Sequence, residues 1–155
     1  MTIDFKALVP EEISLKNTHQ NISPETRVQI KSQFNCNIRR NLNNNPNLSA
    51  ITLSFSSLSS EQEPAPFDIR VTYVGFFEGS IANKEEEKQF VMEGTKIIYP
   101  YLRSAISALT TSANAPVMLP LGCPISFDRV EAQAQPGETE QKKSQYVFAV
   151  DDKLN

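Results

Sequence analysis

Hydrophobic and polar positions alternate with a period of two along four stretches of the chain. Residues 2–16 alternate weakly, with Ile3, Phe5, Ala7 and Val9 followed by Ile13 and Leu15, and Pro10 breaks the run. Proline cannot donate to a ladder, so this segment is predicted as a strand that is interrupted or lies at a sheet edge. Residues 27–40 alternate cleanly. Val28, Ile30, Phe34, Cys36 and Ile38 share one phase, with Ser32 the exception, while Gln29, Lys31, Gln33, Asn35, Asn37 and Arg39 share the other. A strict period of two with one wet face predicts an antiparallel sheet open to solvent on one side. A third strand, about 49–58, sets Ile51, Leu53 and Phe55 against Thr52, Ser54 and Ser56. The fourth, Phe67 to Ile81, sets Phe67, Ile69, Val71, Tyr73 and Phe77 against Asp68, Arg70 and Thr72, until Val74 and Phe76 make the second phase apolar as well. Asn43-Asn44-Asn45-Pro46 and Glu61-Gln62-Glu63-Pro64-Ala65-Pro66 supply the reversals between strands.

After residue 82 the period changes to 3.6. Asn83 and Glu86 have the spacing of a capping box and start a short helix, for which Gly94 is a suitable stop. Ile98, Leu102, Ala105, Ile106 and Leu109 then form one apolar stripe. Pro100 fits a first helical turn, which places a long helix at about 100–112. A second face of that helix carries Tyr101, Ser104, Ser107, Ala108 and Thr111, mostly small, and suits either a closely packed second subunit or plain solvent. Residues 115–125 follow with Val117, Met118, Leu119, Leu121 and Ile125 punctuated by Pro116, Pro120 and Pro124, which forbids a helix. An apolar loop of this kind either plugs its own core or offers a sticky surface. Residues 131–144 are polar with Pro136-Gly137 and are expected to be a flexible linker, and Tyr146 to Val150 is a candidate late strand or anchored tail. The expected organisation is one domain over 1–130 and a polar tail over 131–155.

A length of 155 residues is enough for one well-cored domain, and a net charge of −3 does not fit a general nucleic-acid binder. Cys36 and Cys123 do not make a disulfide framework, the first residues contain no signal-peptide core, and no run of about eighteen apolar residues occurs, so a cytoplasmic protein is expected. Catalytic patterns are missing: there is no nucleophile elbow, no phosphate-binding glycine loop and no Cys-x-x-Cys. His19 has no ligand-type neighbours, Cys123 no basic neighbour, and Glu85-Glu86-Glu87 reads as a solvated first turn. Neither an enzyme, a metal site nor a cofactor is expected.

The run from Ile97 to Val130 resembles the helix and crossover of the SecB chaperone family. The matching residues are Ile97, Ile98, Tyr99, Pro100, Tyr101 and Arg103, then Pro116, Leu119, Pro124 and Phe127-Asp128, with Glu12-Ile13-Ser14-Leu15 similar to the family's first strand. The resemblance covers roughly residues 3–130. It implies an α+β fold, a four-stranded antiparallel sheet packed with a long helix plus a short helix, assembled as a homotetramer that is a dimer of dimers. It also implies an ATP-independent holdase that binds unfolded or nascent polypeptide clients and serves protein export. Val74, Phe76, Val117, Met118, Leu119 and Leu121 are the expected client-binding residues, and Tyr101, Ser104, Ser107, Ala108 and Thr111 the expected oligomer interface. The family's second apolar helix has no counterpart after Phe127-Asp128-Arg129-Val130, and Lys16, Lys31, Arg39 and Arg70 place basic charge where export members are acidic. The alternative expectation is therefore a dedicated chaperone or adaptor for one partner, such as an antitoxin, without a translocase ATPase.

Overall fold

The structure, a computed structural model, describes residues 2–18, 33–41, 44–58, 67–113, 125–134 and 142–150, the last two stretches as backbone. Six strands form one antiparallel sheet: β1 (Asp4–Asn17), β2 (Gln33–Asn41), β3 (Asn45–Ser57), β4 (Phe67–Glu78), β5 (Ile125–Ala134) and β6 (Lys142–Val150). Their spatial order is β1-β4-β3-β2-β6-β5. The α+β arrangement of a long helix on strands β1 to β4 is the one expected, and β6 and β5 extend the sheet beyond β2. Residues 131–134, expected at the start of a flexible linker, lie in β5. Their backbone pairs with β6, an opportunity that no local composition reveals.

Alternation decides which side chains enter the core. Phe34, Cys36 and Ile38 of β2, Ile51, Leu53 and Phe55 of β3, and Phe67, Ile69, Val71 and Phe77 of β4 are all buried on one face. The register seats Phe34 opposite Phe55 and Phe55 opposite Val71. The Phe34 and Phe55 rings meet edge-on at 5.2 Å. β1 lies at the sheet edge, with register shifts between Phe5 and Ala7 and between Pro10 and Glu12, so the strand with the interrupting proline occupies the place where a missing donor is tolerated.

One helix, α1 (Lys84–Ser112), covers this core, packing chiefly on β4 and β3. It replaces the expected pair of helices. Its buried positions, Glu87, Phe90, Val91, Gly94, Thr95, Ile98, Tyr99, Leu102, Ile106 and Thr110, run in one unbroken 3.6-residue phase through both presumed breakpoints. Gly94 is inside the stripe because the helix passes close to the sheet there: a Cβ would collide with Ile51 Cδ1 and lie 3.4 Å from Phe77 Cε2. Pro100 is exposed, so the carbonyl it leaves unpaired faces solvent rather than the core. The helix start uses the two capping residues expected from the sequence, with the return bond reaching Ala82, one residue before the N-cap, instead of Asn83 itself. Asn83 Oδ1 accepts from the Glu86 N–H at 2.9 Å, and Glu86 Oε2 accepts from the Ala82 N–H at 2.9 Å.

Candidate functional site

The face of the sheet turned away from α1 carries the alternate residues of the strands, those out of phase with the core, which are mostly polar. Ser54, Ser56, Asn35, Asn37 and Arg70 lie there, partly or fully exposed. At one end the pattern changes. Val9, Leu48, Ala50, Thr52, Val74 and Phe76, with Glu11 and Arg39, line a groove of about 440 Å³. Register explains the grouping: Val74 lies between Val9 of β1 and Thr52 of β3, and Phe76 between Ala7 of β1 and Ala50 of β3. Small Ala50 and Thr52 beside large Phe76 and Val74 make a depression rather than a flat surface.

None of the groove's apolar residues belongs to the buried core. Val9 is 45% exposed and Leu48 37%. Phe76 and Phe77 are sequence neighbours on opposite faces. Phe77 is fully buried, with its ring 5.5 Å from Phe5 and 6.2 Å from Phe90. Phe76 is only partly buried, in the groove.

Of the six residues expected to bind a client, Val74 and Phe76 therefore lie together, whereas Val117, Met118, Leu119 and Leu121 fall outside the described residues. Val9, Leu48, Ala50, Thr52, Glu11 and Arg39 complete the groove without having been expected in a client site. The signal for Leu48 was present, since its even number places it in the wet phase of β3. Val9 carried no such signal, because β1 is too irregular for its phase to be read across Pro10. On α1, Tyr101 is 48% exposed, Ser104, Ala108 and Thr111 are exposed, and Ser107 is partly buried, so no described residue covers this face.

The remaining polar candidates have structural uses. Glu86 closes the cap. Glu87 departs from the solvated first turn expected of it. It is buried, and Arg40 Nη1 donates to its Oε2 at 3.2 Å while Nη2 donates to the Ile81 carbonyl at 3.2 Å. This pair ties the end of β2 to the first turn of the helix. Cys36 is a buried cysteine whose Sγ lies 3.5 Å from Thr95 Oγ1. His19 and Cys123 lie outside the described residues. Among the described residues no cluster of His, Cys, Asp and Glu is arranged to hold a metal ion, and no helix is long and apolar enough to cross a membrane.

A sheet with one long helix and an apolar depression on its open face calls for comparison with known proteins. The family model of SecB, the preprotein translocase subunit SecB, matches residues 3–136. The chain belongs to the SecB family. No match was found among curated proteins. Among solved structures, the fold is similar to that of a SecB-like chaperone from Mycobacterium tuberculosis in complex with a ChAD peptide from the HigA1 antitoxin. The two share a TM-score of 0.58 and 14% identity, covering 77% of this chain and 90% of that one. At this identity the likeness is one of fold.

Proposed function

We propose that this SecB-family protein is an ATP-independent holdase that keeps unfolded or nascent polypeptides from aggregating by covering their apolar segments. The observation that carries this reading is the groove of Val9, Leu48, Val74 and Phe76 on the solvent face of a sheet whose core is already filled without them. Natural monomers seldom leave such surface open without a use. A large apolar side chain buried there by a client contributes roughly 1.5–3 kcal/mol, so two such contacts change affinity by more than about tenfold. The apolar crossover residues Val117, Met118, Leu119 and Leu121 are proposed to add to the client surface, Met118 through the adaptability of its thioether chain. The chain acts in the cytoplasm as a homo-oligomer, a dimer of dimers, joined along Tyr101, Ser104, Ser107, Ala108 and Thr111.

The test is suppression of aggregation of several unrelated unfolded proteins by stoichiometric amounts of the purified chain without nucleotide. Activity on all of them is expected. A second reading, a dedicated chaperone for one partner rather than a servant of protein export, draws support from the similar-fold chaperone seen with an antitoxin peptide and from exposed Lys16, Arg39 and Arg70 on a sheet face where an acidic docking surface would be needed. Failure on unrelated clients, together with one native partner that copurifies, would replace the first reading by the second.

A further inference from the structure

The groove on the open sheet face is bounded by two opposite charges that no described residue pairs with. β1 carries its two register irregularities at Lys6 and Glu11, on either side of the stretch Ala7 to Pro10 that lies beside Val74 and Phe76. A bulge re-aims a side chain, and it is the bulged Glu11 that lines the groove. Lys6 is not available to a ligand in the same way, because its ammonium is engaged by Asp4 and, at 3.1 Å, by Glu78. Arg39 lines the groove from β2. Neither Glu11 nor Arg39 forms an ion pair or a side-chain hydrogen bond among the described residues. β4 and β3 lie between their strands, and the register sets Glu11 beside Thr72 and Tyr73 but Arg39 level with Phe76, so about 14 Å across the sheet and about 12 Å along it put their backbones about 18 Å apart. They are too far apart to neutralise each other.

We infer that this groove selects extended polypeptide segments in which an apolar residue is bracketed by one basic and one acidic residue two positions away on either side. The inference rests on the polypeptide-binding reading and adds a selectivity to it. In an extended chain, residues i, i+2 and i+4 face the same way and i to i+4 spans about 13 Å, and the side chains of Glu11 and Arg39, which both line the groove, span the remaining gap of about 5 Å between their backbones and the client's. The central side chain enters the depression between Phe76, Val74 and Ala50. The basic residue then meets Glu11 and the acidic one Arg39. Either chain direction satisfies the pattern, since reversing the segment exchanges its ends.

The experiment titrates the full-length protein with fluorescent nonapeptides that share a central Phe and carry, two residues to each side, Lys and Glu, Lys and Lys, Glu and Glu, or Ser and Ser. The Lys/Glu peptide is expected to bind about threefold to tenfold more tightly than the Ser/Ser peptide at low salt, the range that two exposed ion pairs supply, and to lose most of that preference in about 0.5 M salt. Arg39→Glu, a change at an exposed position, is expected to move the preference to the Lys/Lys peptide by a similar factor. Equal binding of all four peptides, or a preference that Arg39→Glu leaves unmoved, would overturn the selectivity. In that case a loss of all binding on Phe76→Ser would still place polypeptide in the groove. Absence of binding by every peptide to the unaltered chain would overturn selectivity and groove binding together.

Discussion

Phe76 and Phe77 lie one position apart and have different work, so substituting each separates surface from core. Phe77→Ala removes a fully buried ring from between Phe5 and Phe90 and is expected to lower unfolding free energy by about 3–5 kcal/mol, read from a denaturant midpoint. Phe76→Ser is expected to change stability by less than about 1 kcal/mol and to weaken client-peptide binding about tenfold. A large midpoint drop in Phe76→Ser with peptide affinity intact among folded molecules would mean that the groove is core after all. A second pair of residues tests the tie between sheet and helix. Arg40 and Glu87 side chains are 9% and 5% exposed, so Glu87→Ala leaves a cation buried and is expected to cost about 3–5 kcal/mol. Replacing both, Arg40→Met with Glu87→Leu, is expected to recover most of that loss. A double variant no more stable than the single one would show that the pair contributes something apolar packing cannot replace.

Helix α1 owes its start to a local device and its continuity to packing. Asn83→Ala removes the acceptor for the Glu86 N–H, and the expected loss is about 1 kcal/mol, measurable as a shift of the unfolding midpoint with an unchanged slope. Gly94 tests the continuity. In an isolated helix a glycine is unfavourable by about 1 kcal/mol relative to alanine. Here Gly94→Val is expected to destabilise by about 1–3 kcal/mol, because the added carbons meet Ile51 and Phe77 and force the helix from the sheet. A gain in stability would show that the helix and sheet have room to spare. The edge strand β1 is managed differently, through Pro10, two bulges and the charges of Lys6, Glu11, Glu12 and Lys16, all of which discourage uncontrolled pairing along its free side.

At the scale of the whole molecule, the described residues leave both the open sheet face and the outer face of α1 uncovered. The proposed assembly puts the second of these to use. Light scattering of the unaltered protein is expected to give a multiple of 17.3 kDa, and Ala108→Arg is expected to lower it, since a guanidinium at a close helix contact has no partner to offset its desolvation. A mass of one chain for the unaltered protein at micromolar concentration would remove the assembly and leave the helix face as plain solvent surface.

The alternation of Phe34, Cys36 and Ile38, of Ile51, Leu53 and Phe55, and of Phe67, Ile69 and Val71 determined three antiparallel strands and their buried face without reference to the fold, because side-chain direction in a strand depends only on position parity. The cap at Asn83 was equally legible, since its bonds span three or four residues. The single long helix was written in the same stripe, from Glu87 to Thr110, but Gly94 and Pro100 obscured it: only the nearness of Ile51 and Phe77 shows that this glycine serves close packing, and only exposure shows that this proline is harmless. The groove depended on tertiary structure most of all. Val74 and Phe76 stood out as apolar residues in a wet phase, yet their neighbours Val9, Ala50 and Thr52 come from strands distant in sequence, joined by a register that no local pattern encodes. Glu11 and Arg39 face the same depression because a bulge displaced one by a single residue and four strands set the distance to the other, and both effects exist only once the chain has folded.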